Sequence, residues 1–348
     1  MDPAKLPYAW YAGLPCDKGT FGLCTASTDL RTQCEHYGVF APGPPASGRC
    51  AREFRLFQLL GKDVNQSDPK AMLVAALDRN IPEAVQLLLA DPRADPSANN
   101  WAIKYASQNG HAEVVQMLLA DGRADPSAYE NEAILEASKN GHAEVVQMLL
   151  ADGRADPSAY ENEAIMYASS KGHAEVVRLL LADPRVNPST NDNEAIRFAS
   201  VQGQAEVVQL LLADPRGNPS ATDNWAIRFA SEKGHADVVQ LLLADGRADP
   251  SAYENEAIMY ASSKGHAEVV RLLLADGRAD PSAEDNWAIR YASSKGHAEV
   301  VQLLLADGRA DPSANDNWAI RFASYNGHAE VVQLLLADGR ADPSVMNN

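Results

Sequence analysis

The chain lacks most of what announces catalysis, membrane insertion or nucleic-acid binding. No stretch approaches the roughly 18 apolar residues of a membrane helix, and no basic segment followed by an apolar run opens it. Positive charge is scarce: 30 Lys and Arg stand against 47 Asp and Glu, a formal net charge of −17. Such a surface repels phosphate backbones and anionic lipid, which argues against nucleic acid and membrane as partners and favours a protein with a basic or mixed surface. Cysteine is confined to Cys16, Cys24, Cys34 and Cys50, at spacings that match no common zinc pattern even with His36 nearby. No nucleophile stands with a base and an orienting group, and no glycine loop is built to cradle phosphate. The reading is therefore a soluble, non-enzymatic chain with no catalytic residue, metal or cofactor.

What the chain has is repetition. Glycines 110, 141, 172, 203, 234, 265, 296 and 327 recur every 31 residues, and residues 151–183 are identical to 244–276, three repeats on. The array grew by block duplication. A unit this small cannot enclose its own apolar face, so neighbours must stack, and function is sought on the exposed positions that vary.

Each unit predicts two helices. In the last copy Asn317 stands at the N-cap position, as do Asn131, Asn162, Asn193, Asn224, Asn255 and Asn286 in others, and its side chain is expected to cap a first-turn N–H. Ala319, Ile320 and Ala323 share a face, and Gly327 ends the helix as a left-handed residue. The second helix carries Val331, Val332, Leu334, Leu335 and Leu336, too many apolar residues for one stripe, so it is expected to be enclosed on most sides. A loop with proline then breaks it. Histidines 111, 142, 173, 235, 266, 297 and 328 lie a full repeat apart, too far to share an ion with ligands about 2 Å away, so they are expected to be structural. Recurrent arginines such as Arg154 are expected to pair with loop carboxylates such as Asp152.

The run Gly265-His266-Ala267-Glu268-Val269-Val270-Arg271-Leu272-Leu273-Leu274, followed by a loop and repeated along the chain, resembles the ankyrin repeat. The tandem array is similar to those of ankyrin proteins from large DNA viruses and some protists. The resemblance implies an all-α ankyrin-type solenoid of about nine stacked helix-turn-helix repeats and a role in protein–protein interaction. Asn-Trp-Ala-Ile or Asn-Glu-Ala-Ile replaces the family's Thr-Pro-Leu-His, and the unit is about two residues shorter than the usual 33 or so. Tight loops are therefore expected where longer units project β-hairpins. A degenerate first repeat spans Ala71 to Leu89, and a lone helix over Ala51–Leu60 precedes it.

Two domains are expected: residues 1–49 as an extended arm and 50–348 as the solenoid, with an N-terminal cap over 50–98 and regular repeats over 99–348. The arm contains six prolines, with Tyr8, Trp10, Tyr11 and Phe21 as its expected anchors, and its four acidic and four basic residues balance, so the whole negative excess lies in the repeats. Reduced thiols in a cytoplasmic protein are the default. Cys24 and Cys34 are also spaced like the CX9C pairs of the mitochondrial intermembrane space, the alternative compartment if the four cysteines form disulfides.

The varying positions name the candidate site. The residue after each Asn is Trp101, Glu132, Glu163, Glu194, Trp225, Glu256, Trp287 or Trp318, and three places on stand Lys104, Leu135, Met166, Arg197, Arg228, Met259, Arg290 and Arg321. Trp always travels with a cation, and at i,i+3 the two are expected to form a cation–π contact. Trp225, Arg228, Trp287, Arg290, Trp318 and Arg321, with the loop residues Tyr129, Tyr160 and Tyr253, are the expected partner-binding set. Exchange of the tryptophans for Glu is expected to leave stability nearly unchanged. The expected function is a scaffold that binds a protein partner through its loop and first-helix face. The alternative is an accessory subunit of a large assembly, docked through the arm and the C-terminal end.

Overall fold

In a computed structural model of the chain, the structure describes residues 55, 56, 58–61, 64, 68–342 and 344. The expectations for the arm, its anchors Tyr8, Trp10, Tyr11 and Phe21 and all four cysteines, fall outside these residues. Among the described residues there is no strand, in keeping with the short loops, and eighteen α-helices form nine pairs. In chain order these are α1 (Pro69–Asp78) and α2 (Pro82–Leu89), α3 (Trp101–Gln108) and α4 (Ala112–Asp121), and α5 (Ala128–Lys139) and α6 (Ala143–Asp152). Next come α7 (Ala159–Lys171) and α8 (Ala174–Ala182), α9 (Thr190–Val201) and α10 (Ala205–Ala213), and α11 (Ala221–Lys233) and α12 (Ala236–Asp245). The last are α13 (Ala252–Lys264) and α14 (Ala267–Asp276), α15 (Ala283–Ser294) and α16 (Ala298–Asp307), and α17 (Ala314–Tyr325) and α18 (Ala329–Asp338). Two compact units are formed, one from residues up to 137 with 144–156, the other from 138–143 with 157 onwards.

In the second unit each first helix packs on the first helices of the flanking repeats, and each second helix on the second helices. Sequence explains why. Ala257, Ile258 and Ala261 of α13 are fully buried, and the small alanines let neighbouring helices approach closely. In α14, Val269, Val270 and Leu273 are likewise enclosed. Burying one such Val or Leu contributes about 1.5–3 kcal/mol.

The turn between the two helices is a Schellman motif: the N–H of His266 reaches the carbonyl of Ala261 at 2.9 Å, and that of Gly265 reaches Ser262 at 3.2 Å. Gly265 has φ 80°, and a Cβ on it would also lie 2.7 Å from Nδ1 of His297 in the next repeat. The glycine is thus required twice, by backbone conformation and by a neighbour's ring. That ring docks there because Nε2 of His297 bonds the carbonyl of Ser263 at 3.0 Å, as His328 does with Ser294 at 2.9 Å. Gln204 makes the same reach to Ser170 at 3.5 Å. Burial pushes the His297 imidazole below its ordinary value, which favours the neutral ring.

The loops correct the N-cap expectation. In seven repeats three successive residues at the start of the first-helix range are left-handed and not helical, for example Glu284, Asp285 and Asn286 at φ 51°, 54° and 61°, so the regular helix begins only after Asn286. Each such residue costs about 1–2 kcal/mol. What offsets this is an α-turn, with the N–H of Asn286 on the carbonyl of Ser282 at 2.9 Å, and a contact into the following repeat. The Asn286 side chain does not cap its own helix; its Oδ1 accepts the backbone N–H of Asp311 at 2.6 Å. Asn131, Asn162, Asn193, Asn224, Asn255 and Asn317 do the same to the residue 25 positions on. A left-handed φ aims the amide outward along the stack, away from the first-turn N–H groups it was expected to cap.

A second tie runs the other way. Arg247 forks onto Asp245 at 2.7 and 2.9 Å, then reaches back to the carbonyls of Gly217 and Leu212 at 2.7 and 2.8 Å. Leu212 is in the last turn of α10, where carbonyls have no helical partner and attract a cation. The guanidinium beside Asp245 holds its carboxyl below the usual carboxylate range, against a smaller upward push from burial.

Candidate functional site

In the second unit the expected tryptophans form rows. Trp287 stacks on Tyr291, four residues on, with centroids 4.0 Å apart, and Trp318 stacks on Phe322 at 4.2 Å. Tyr260 meets Trp287 edge-on at 5.7 Å, and Tyr291 meets Trp318 at 5.2 Å. Tyr260, Trp287, Tyr291, Trp318 and Phe322 are therefore one continuous aromatic series across three repeats. A shorter series joins Phe198, Trp225 and Phe229 at 6.0 and 4.4 Å. The three tryptophans are half-buried.

The expected i,i+3 cation–π pairing is not what forms. Each cation leans onto the next repeat: Arg197 lies over Trp225 at 5.2 Å and Arg290 over Trp318 at 5.3 Å. A helical residue three positions away shares the Trp's own turn, but the Trp ring turns onto the aromatic at i+4 and shows its other side to the preceding repeat. Where the following repeat carries Glu, the same position makes an ion pair. Lys104 holds Glu132 at 2.6 Å in the first unit, and Arg228 holds Glu256 at 2.8 Å in the second. The residue 28 positions downstream thus decides what each cation does.

These contacts sort the candidate residues. Arg228 is committed to Glu256 and lies over the Tyr253 ring at 4.1 Å, leaving its side chain only 11 % exposed. It fixes Tyr253 rather than offering a free cation. Arg290 donates Nη1 to the carbonyl of Asp285 at 3.2 Å, while Arg321 is exposed. Tyr129, Tyr160 and Tyr253 project from the left-handed loop segments and are exposed. Because the tryptophans stack within and between repeats, their replacement should cost stability.

Sequence reasoning missed a cavity in the first unit. It measures about 520 Å³ and is lined in part by Val74, Asp95, Pro96, Trp101, Tyr129 and Glu132. Its signal lay in the degenerate first repeat. When Leu73 is aligned with Ile103, as their shared burial requires, Val74 and Ala75 stand where the next repeat has Lys104 and Tyr105. Two long side chains are missing beside Trp101, and the space stays open.

Among the described residues no helix is long and apolar enough to cross a membrane. A solved structure described as EF0377, an ankyrin repeat protein, is similar over 51 % of this chain and 98 % of its own, at 23 % identity and a TM-score of 0.45. No curated protein matches the chain. A family model described as ankyrin repeats (3 copies) matches residues 49–130, 134–223, 196–285 and 280–347. With all but the first few dozen residues covered and nine helix pairs of the expected form, the chain belongs to the ankyrin-repeat family.

Proposed function

We propose that the chain is a non-enzymatic scaffold that binds a protein partner through the loop and first-helix face of its repeats, with the Trp287–Trp318 row as the main contact. The family supports the general role, since ankyrin repeats are protein–protein interaction modules. The observation that carries the finer reading is the half-exposed aromatic series from Tyr260 to Phe322, flanked by Arg290 and Arg321. Tryptophan and arginine dominate interface hot spots because they combine large area with directed donors. The excess of negative charge elsewhere on the repeats favours a partner with a basic or mixed surface.

The test compares the full chain with the double variant Trp287→Glu, Trp318→Glu as bait, with circular dichroism confirming that both are helical. Proteins bound specifically by the parent and lost from the variant support the reading. Equal capture by both refutes the patch, and loss on deleting residues 1–49 instead assigns attachment to the arm.

A further inference from the structure

The array states, in its own repeats, what an indole at this position holds. Arg197 of the preceding repeat covers Trp225, joined by Phe198, and Arg290 covers Trp318, joined by Tyr291. Arg197 also donates Nη1 to Thr222 at 2.9 Å on the following loop. The preceding repeat thus presents both a guanidinium and an aromatic ring to the indole. Trp287 receives Tyr260 in the same way, and Met259, the residue in the cation's place, is buried.

Trp101 differs. It stacks on its own Tyr105 at 4.7 Å, but the two upstream positions hold Val74 and Ala75, which reach no further than a branched stub and a methyl group. Trp101 is 37 % exposed and Val74 40 %, and the 520 Å³ cavity occupies the space between them. Two carboxylates stand in its wall, Asp95 and Glu132, with Tyr129 beyond them. Asp95 accepts the N–H and hydroxyl of Ser97, which hold its carboxyl below the usual range and keep it ionised. Two lysines in the wall balance these carboxylates: Lys104 pairs with Glu132 at 2.6 Å, and Lys70, like Asp95, is exposed.

We propose that this cavity receives the side chain of an arginine presented by a partner protein, its guanidinium lying over Trp101 as Arg197 lies over Trp225. The occupant is argued from the array's own precedent. The planar guanidinium stacks on an indole at little dehydration cost, and its three-methylene stem reaches well beyond the branched stub of Val74. The site rests on the reading of the chain as a protein-binding scaffold, but it is in the other unit from the Trp287–Trp318 row and is tested without it.

The experiment uses the full chain with 15N-labelled tryptophan and the peptides Ac-Gly-Ser-Arg-Ser-Gly-NH2 and its citrulline and glutamate counterparts. The Trp101 indole signal, identified by its loss in Trp101→Phe, is followed through titration. The arginine peptide should shift that signal saturably, and the citrulline peptide, which keeps the shape but not the charge, should bind about tenfold more weakly. Val74→Arg supplies the missing guanidinium from within the chain at an exposed position, and should abolish the response while the other indole signals stay in place. Peptide-observed saturation transfer to Trp101→Ala, which removes the indole without supplying a carboxylate, should be lost as well. Equal binding of the citrulline peptide, or undiminished binding by Val74→Arg, overturns the proposal. Stronger binding of the glutamate peptide overturns it in favour of Lys70 and Lys104 as an anion site. Silence of Trp101 toward all three peptides overturns it while leaving the Trp287–Trp318 experiment untouched.

Discussion

Asn286 holds the backbone N–H of Asp311 through its side-chain oxygen at 2.6 Å, and does so from a left-handed backbone at φ 61°. One residue thus both ends a strained loop and ties its repeat to the next. Asn tolerates this conformation better than other non-glycine residues.

Asn286→Ala loses the tie and meets the full left-handed penalty, so it should destabilise the chain by about 2–3 kcal/mol. Asn286→Gly loses only the tie and should cost about half as much, despite glycine's greater freedom when unfolded. Urea unfolding followed by circular dichroism gives both values. Equal losses would show that the hydrogen bond, not the backbone, sets the requirement.

Serines 107, 138, 169, 200, 231, 262 and 293 recur once per repeat, fully buried, with hydroxyls that find no hydrogen-bond partner. A buried hydroxyl without a partner costs about 1–3 kcal/mol. Ser231→Ala and Ser262→Ala should therefore each raise stability, by about 0.5–1 kcal/mol after the slight loss of packing, and Ala is also the better helix former. A fall in the urea midpoint on either exchange would show that the hydroxyl is satisfied in solution.

Asp121, Asp152, Asp183, Asp214, Asp245, Asp276, Asp307 and Asp338 are all held below the usual carboxylate range, chiefly by side-chain hydrogen bonds from the arginine two residues on. A carboxyl whose pKa is lower folded than unfolded stabilises above its unfolded value, near 3.9, and loses that contribution as pH falls through the folded value. These carboxylates should leave stability nearly unchanged from pH 7 to about 5 and make it fall steeply below about 4, while His297, held neutral by burial, should add a smaller loss as pH falls below about 6.5. Arg247→Lys, which keeps the charge but not the fork, should lower stability at neutral pH and make the acid loss shallower. Unfolding midpoints across pH for both proteins check the sign, and identical profiles would deny the fork this role.

Trp318→Glu and Trp287→Glu should differ. In place of Trp318, Glu meets Arg290 just as Glu256 meets Arg228, which recovers part of the lost stacking. In place of Trp287 it faces Met259 of the preceding repeat and has near it only Arg290, three residues on in its own helix and already over Trp318. The Trp287 exchange should cost about 1–2 kcal/mol and the Trp318 exchange about 0.5–1 kcal/mol less. The order of the two melting temperatures decides the matter.

The sequence by itself determined the fold. A 31-residue period fixes which residue lies over which in the next repeat, and the Ala-Ile-Ala and Val-Val-Leu patterns fix the faces that stack, so nine helix pairs, strand-free loops and left-handed glycines were all legible. It also named Asp and Arg as partners, because two residues in one turn have few other choices. Only the tertiary structure decided where side chains that reach out of their own repeat come to rest. Asn286 turns away from its helix because three left-handed residues redirect it, and Arg290 bypasses its own Trp287 for Trp318 because Tyr291 already stacks on that ring. The cavity at Trp101 is of the same kind: Val74 and Ala75 are unremarkable as letters, and their shortness matters only once an indole is packed against them.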